Sequence, residues 1–271
     1  MIKYSVLASG STGNSIYIGT TNVNLLIDAG LSAKRIAASL QQIGMSIDCI
    51  DGILVTHEHD DHVRGLGVLA RRHNIPIYAN SKTMEKLPNS LGVIDEACKK
   101  IITTGEPINF ADLLVESFPI SHDAAEPVGY IFRLEDKKLV VVTDLGYVSQ
   151  RIKEKLKGAN VYIIEANHDV GMVRMSTYPW SVKQRILSDV GHLSNEASGE
   201  ALIELITDAT EEVYLAHLSK ENNMQELARL AVKNILDEHG ITADQVRLMN
   251  TYPDKPTKLA VIVDKTQKLA L

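Results

Sequence analysis

Cysteine is nearly absent: the 271 residues hold two, Cys49 and Cys98, and neither belongs to a Cys-x-x-Cys pair. That argues against a disulfide framework and against a zinc site closed by thiolates. Both are expected as small buried or half-buried residues. Also missing is any apolar run approaching the ~20 residues that span a bilayer, so no membrane partner is expected. The opening Met1-Ile2-Lys3-Tyr4-Ser5-Val6-Leu7 lacks the apolar core and cleavage site of a secretory signal, which points to the cytoplasm. Basic charge is not in excess either. A formal net charge of -6 is not that of a protein wrapped in nucleic acid, although a local basic patch is compatible with it. Repeats, low-complexity segments and linkers are lacking, so residues 1–271 are expected to form one domain.

Histidine, in contrast, is concentrated. Thr56-His57-Glu58-His59-Asp60-Asp61-His62 places three imidazoles and up to three carboxylates directly after the apolar run Gly52-Ile53-Leu54-Val55. Alternate side chains of an extended segment share a face, so His57 and His59 can converge on one point while Asp61 and His62 turn toward a second. One peptide can thus grip two metal ions. Imidazole and carboxylate suit Zn²⁺, Mn²⁺ and Fe²⁺, and burying so many polar groups with nothing to compensate them would be costly.

Along the chain, strands are expected at Lys3–Ala8, Ser15–Ile18 and Val23–Ile27, forming a meander. The small polar loop between the first two, with Ser11 and Asn14, is either a hairpin connection or an anion-binding turn. Ser32 caps a helix Ala33–Ile43 that Gly44 stops. The histidine loop follows its strand and leads into a helix Asp61–His73. A strand Pro76–Ala79, a helix capped by Ser81, two strands within Pro107–Phe118 and the hairpin Val128–Leu134 with Leu139–Thr143 come next. The second half alternates helix Ser149–Lys157, strand Val161–Glu165, a helix after Pro179, helix Ser194–Ile206, strand Glu212–Ala216, helix Met224–His239 and strands Val246–Met249 and Leu259–Val263. The fold class is therefore α/β.

Asp28, His57, His122, Asp144, Glu165 and His217 each fall at or just past the end of an expected strand. Strand ends of a layered α/β protein share an edge, where sites are usually built. His122 is expected to complete a first metal with His57 and His59; Asp61, His62 and His217 hold the second, and Asp144 bridges them. Asp28 orients the loop from behind the ligands. His192 either pairs with Glu165 as an acid/base couple or is a helix-start histidine bonded to backbone. Lys183 and Arg185, after Trp180, are either solvated helix charges or contacts for a substrate backbone.

Thr56–His62 resembles the His-x-His-x-Asp-His signature of the metallo-β-lactamase superfamily, and Asp28, His122, Asp144 and His217 fall in the order of its other motifs. The Ser9–Ser15 start, Glu165-Ala166-Asn167-His168-Asp169, Tyr178-Pro179-Trp180 and Gly191-His192-Leu193-Ser194-Asn195-Glu196 resemble more narrowly the bacterial YycJ/WalJ group, which is related to the tRNase Z and cyclic phosphodiesterase branches. The resemblance implies an αββα sandwich of two mixed sheets flanked by helices, two divalent metal ions (Mn, Zn or Fe), and an exonuclease that cuts DNA from 5′ to 3′. In the tRNase Z branch a Glu and a His matching Glu165 and His192 act in proton transfer. His168 joins Ser11, Asn14, Lys183 and Arg185 as a candidate contact for substrate phosphate. The chain is too short for the inserted domain of RNase J type enzymes and shows no long arm of the tRNase Z kind. The expected chemistry is attack on phosphorus by a hydroxide bridging the ions, positioned by Asp61, with His192 protonating the leaving oxygen. The alternatives are a phosphodiesterase acting on RNA or a small molecule, and a non-catalytic metal-containing binding protein in signalling or repair.

Overall fold

In Val140-Val141-Val142 and Tyr162-Ile163-Ile164 no position is polar, so a strand built from either run must be covered on both faces. The computed structural model, which describes residues 1–262, covers them with a second sheet on one side and helices on the other. Leu139, Val141, Val161 and Ile163 point into a core shared with Val6, Ile16, Leu25 and Leu54 of the opposite sheet. Val140, Val142, Tyr162 and Ile164 pack with Leu202, Leu205 and Val232 from helices. Leu26, Ile53 and Ile77 do the same for the first sheet, against Ile36, Leu40 and Leu69. Two mixed sheets flanked by helices, the αββα sandwich, result.

The first half of the chain forms β1 (Ile2–Ala8), β2 (Ser15–Gly19), β3 (Asn24–Ile27), α1 (Ala33–Gln42), β4 (Gly52–Leu54), α2 (Asp60–Val63), α3 (Leu66–His73), β5 (Ile77–Ala79), α4 (Ser81–Lys86) and β6 (Lys99–Ile101). The second half forms β7 (Pro107–Phe110), β8 (Leu113–Pro119), β9 (Val128–Leu134), β10 (Lys137–Val142), α5 (Gln150–Leu156), β11 (Val161–Glu165), α6 (Val170–Met175), α7 (Trp180–Ile186), α8 (Asn195–Leu205), β12 (Glu212–Ala216), α9 (Gln225–Glu238), β13 (Arg247–Asn250) and β14 (Ala260–Ile262). The sheets run β14-β1-β2-β3-β4-β5-β6 and β13-β12-β11-β10-β9-β8-β7. Each combines an antiparallel meander with parallel strands reached by helical crossovers: β3 to β6 are parallel in one sheet, β10 to β13 in the other.

Several expectations are corrected. The helix expected over Asp61–His73 is two, because the Asp61 carbonyl accepts from Asn14 N–H (2.8 Å) and the Gly65 N–H turns to Ala29 O (2.7 Å). A Cβ on Gly65 would stand 2.4 Å from Leu31 O, so this close approach needs glycine. Asn80, not Ser81, caps α4, accepting from Thr83 N–H. Both β6 and α6 lacked a sequence signal: Lys99-Lys100-Ile101 is a short edge strand carrying the lysines that protect such edges, and α6 is too short to show a period. Cys98 is buried as expected, whereas Cys49 is exposed. Of the strand expected at Leu259–Val263, Val263 lies outside the described residues. Among the described residues no helix is long and apolar enough to cross a membrane.

Candidate metal centre

The ends of β3, β4, β8, β10, β11 and β12 deliver Asp28, His57, His122, Asp144, Glu165 and His217 to one edge of the sandwich. Three of these residues leave their strands through a left-handed backbone, with φ of 60° at Asp28, 58° at Asp144 and 54° at His217. Non-glycine residues adopt that conformation at a cost. Here it folds each side chain back across the sheet edge toward the others.

Around the histidine loop, both oxygens of Asp28 are engaged. Its carboxylate accepts from Thr56 N–H and Thr56 Oγ (both 2.8 Å) and lies 2.7 Å from His62 Nδ1. This fixes the His62 ring with Nε2 facing inward. Thr56 Oγ also lies 2.9 Å from His57 Nδ1; its one proton goes to Asp28, so it accepts from His57 and leaves His57 Nε2 as a lone pair. His122 Nδ1 is 3.2 Å from Gly191 O and is likewise the protonated side of its ring. Of the remaining motif carboxylates, Asp60 is exposed and pairs with Arg64, while the half-buried Glu58 accepts from Ala125 N–H.

What this orientation produces is convergence. His57 Nε2 and His122 Nε2 lie 3.0 and 3.3 Å from His59 Nδ1. A tetrahedral ion with nitrogens at ~2.05 Å would hold them roughly 3.3 Å apart, so the three rings already have ligand spacing. His62, Asp61 and His217 form a second group, as do His57, His62 and Asp144. Asp61 Oδ2 is 3.4 Å from His217 Nε2 and 3.6 Å from His62 Nε2. Asp144 lies against the second group, with Oδ2 3.2 Å from His62 Nε2 and Oδ1 3.2 Å from His217 Nδ1, and shares ligand spacing with His57 of the first. Its Oδ2 is buried and, although it faces His62 Nε2, accepts no well-formed hydrogen bond, which leaves lone pairs that a cation can take. A further set of donors, Asp144, Glu165, His192 and His217, is close enough to hold an ion as well. The donor chemistry fits a divalent cation.

The charges are arranged accordingly. Burial, helped by the neighbouring His62, holds His57 well below the usual histidine range, and burial lowers His122 too. Burial also opposes a charge on His62 and His217, but Asp144 outweighs it, with Asp28 and Asp61 acting on His62 and Asp61 and Glu165 on His217; His62 is raised well above its ordinary value and His217 to about 10. His57 and His122 are thus favoured as neutral imidazoles, whereas His62 and His217 carry positive charge where carboxylates gather.

Glu165 is fully buried, and burial alone would neutralise it; its contacts with His192 and His217 instead hold it down at about 2. Oε2 accepts from Leu145 and Leu193 N–H, and Oε1 lies 2.8 Å from His192 Nδ1 and 2.9 Å from His217 Nδ1. His192 is the more exposed ring, and Glu165 and Asp144 raise it against the effect of burial. It therefore holds a proton beside the cluster.

Among the candidate phosphate contacts, Ser11 is exposed at the loop tip. Asn14 is buried: it links Gly10 to Asp61, and its Nδ2 reaches His62 Nε2 at 3.1 Å. Lys183 Nζ donates to Arg174 O, and Arg185 pairs with Asp123. His168 is buried beneath the site, its Nδ1 without a partner, and burial lowers it to about 4. A histidine that titrates lower when folded is protonated first in the unfolded chain. Its stabilising contribution is complete above the ordinary value of about 6.5 and disappears as pH falls toward 4, a loss of about 3 kcal/mol. Urea midpoints should accordingly fall less steeply between pH 7 and 5 in His168→Gln than in the parent protein; parallel slopes would refute this.

Two supports lie in segments that carry the family resemblance, but their role is not legible in the sequence. Ser9 Oγ accepts from His217 N–H at 2.7 Å, and Asn167 Nδ2 donates to His217 O at 2.8 Å, so both fix the backbone of the last ligand. Neither segment's resemblance says which atom a serine or asparagine in it will bond.

A β-lactamase superfamily domain matches residues 23–218. The chain is 50% identical to the exodeoxyribonuclease YycJ of Bacillus anthracis, covering 96% of this chain and 99% of that one. It is 47% identical to the exodeoxyribonuclease WalJ of Streptococcus pneumoniae, covering 96% and 98%. Among solved structures, the metallo-β-lactamase fold protein YhfI from Bacillus subtilis superposes with a TM-score of 0.71 at 14% identity over 95% of this chain and all of that one. The short form of human tRNase Z does so at 0.65 and 13%, over 96% and 100%. At such identities these likenesses describe the fold.

Proposed function

The chain belongs to the β-lactamase superfamily, and from that premise we propose that it is a two-metal-dependent phosphodiesterase, an exonuclease degrading DNA from 5′ to 3′. The observation that carries this reading is Asp144, a buried carboxylate within ligand spacing of His57, His62 and His217 whose Oδ2 accepts no well-formed hydrogen bond among the described residues. His57, His59 and His122 would hold one divalent ion, Asp61, His62 and His217 the other, with Asp144 shared; Mn²⁺, Zn²⁺ and Fe²⁺ all suit these donors. Such ions, when bound, supply Lewis acidity and make water a nucleophile near neutral pH.

The chain's own groups account for the rest. Asp61 is the most exposed carboxylate of the cluster, its side chain 23% accessible, and it orients the attacking water. Asp28 and Thr56 keep the imidazoles turned inward, so that ligand lone pairs need no rearrangement when substrate arrives. His192 holds its proton on the open side of the cluster while Glu165 grips Nδ1; Nε2 is then the atom that protonates the leaving oxygen. The exodeoxyribonuclease relatives support DNA as the substrate, and the cytoplasm expected from the sequence is where chromosomal DNA is met.

Chelation should abolish hydrolysis, and Mn²⁺, Zn²⁺ or Fe²⁺ should restore it. A panel of 5′-phosphorylated and 5′-hydroxyl DNA, RNA and a chromogenic diester is expected to show DNA strands shortened from the 5′ end. Shortening only from the 3′ end would overturn the polarity, and cleavage of the small diester alone would overturn the exonuclease.

A further inference from the structure

Between Glu165 and His192, the two groups assigned to proton transfer, the chain makes an excursion that includes α6 and α7. Helix α7, Trp180–Ile186, buries none of its residues. Trp180 is 66% exposed and Met175 88%, an unusual state for large apolar side chains with nothing to cover them. The charge carried by this stretch itself is of one sign. Residues 170–187 contain Arg174, Lys183 and Arg185 and no Asp or Glu, in a chain whose formal net charge is -6.

The far end of this excursion is fastened to the metal centre. Ile186 O accepts from His192 N–H at 3.1 Å, and Arg185 pairs with Asp123, the neighbour of His122. Ser121 Oγ donates to Asp189 O at 2.6 Å, and the Asp189 carbonyl presses so closely on Gly146 that a Cβ there would stand 2.1 Å away. From Ile186 back to Trp180 is six helical steps of about 1.5 Å, roughly 9 Å. At ~3.4 Å per stacked nucleotide, a strand leaving the centre covers that distance in about three nucleotides.

The geometry points to Trp180 as a stacking platform for a base of single-stranded DNA, with the cations of residues 174–185 facing its phosphates, on the strand a few nucleotides from the scissile bond. This rests on the exonuclease reading above. An indole face stacks on any base, which suits an enzyme that must accept every sequence in turn. The ligand is a nucleic acid strand rather than a second protein surface because the exposed apolar residues alternate with Arg174 and Lys183, with Arg185 anchored to Asp123 beside them, and apolar surface interleaved with cations is the combination that binds single strands.

Trp180 is the sole tryptophan, so intrinsic fluorescence reports on this site alone. Titrating the metal-loaded protein with a phosphorothioate single strand should quench its emission. Trp180→Ala should raise KM for DNA on the order of tenfold with kcat nearly unchanged, Trp180→Phe should recover part of that loss, and hydrolysis of a small chromogenic diester should be the same in all three. Since α7 packs no residue into the core, circular dichroism melting should be unaltered. Emission that ignores DNA, together with equal KM in Trp180→Ala, would refute the platform while leaving the exonuclease intact. Emission that changes with protein concentration alone, with a dimer in sedimentation, would assign the surface to a second copy and refute it too. A parent protein that cuts the small diester and no DNA would overturn both readings.

Discussion

Asp144→Asn is expected to lose metal and to hydrolyse DNA roughly 10³-fold more slowly, since an ion in such a site supplies several kcal/mol of transition-state stabilisation and each 1.36 kcal/mol is tenfold in rate. The exchange is nearly isosteric, and asparagine accepts the left-handed backbone at this position, so the scaffold should survive. What changes is charge. Burial opposes ionisation of Asp144, but His217 and His62 pull it well below the usual carboxylate range. Asparagine instead presents either an uncharged oxygen or an N–H to the ring nitrogens of His62 and His217. Metal content by elemental analysis and turnover on a labelled strand would be read together. An Asp144→Asn protein that keeps both ions and most of its rate would show that Asp144 is not shared between them.

His192→Ala should separate the two quantities that Asp144→Asn removes together. Turnover falls about 10²- to 10⁴-fold, the usual worth of a positioned proton donor, while bound metal is unchanged. His192 Nδ1 is occupied by Glu165 at 2.8 Å and stands 3.7 Å from Asp144, so the ring is tied to the carboxylate rather than to the three-imidazole group. Glu165→Gln is a harsher change than it looks, because Oε2 also receives two backbone N–H groups, and a reversed amide would leave them unsatisfied. A His192→Ala protein that loses one ion would move the second site to Asp144, Glu165, His192 and His217, a grouping that the distances also allow.

Much of this arrangement could be read from the chain because strand ends are visible in the sequence. Apolar runs such as Val161–Glu165 and Glu212–Ala216 mark where a strand stops, and the polar residue that follows is a candidate for the shared edge. The meander, the hairpin, the helix capped by Ser32 and the helices beginning near Ser149 and Ser194, both of which prove to be caps, were legible for similarly local reasons. The break at Gly65 was not, since it depends on an Asn14 amide arriving from 47 positions away to take the carbonyl of Asp61. Local periodicity continues straight through it. Nor could the roles of Ser9 and Asn167 be seen, because each holds the backbone of His217 across a long separation, and a lone serine or asparagine has many other uses. The exposure of α7 was equally hidden: Trp180-Ser181-Val182-Lys183 would serve as well for a packed helix.

The left-handed turns at Asp28, Asp144 and His217 bear on transplantation. Seven residues from Thr56 to His62 can be copied into another β-rich scaffold, but the three partners reach them only because three separate strands each end in a backbone twist that most side chains avoid. A graft that moved the histidine peptide alone would carry rings without their counterparts. A design that kept every ligand but ended its strands in ordinary extended geometry would point the carboxylates outward. The portable unit is therefore the sheet edge with its three twists, and the recognisable peptide is only the part of it that happens to be contiguous.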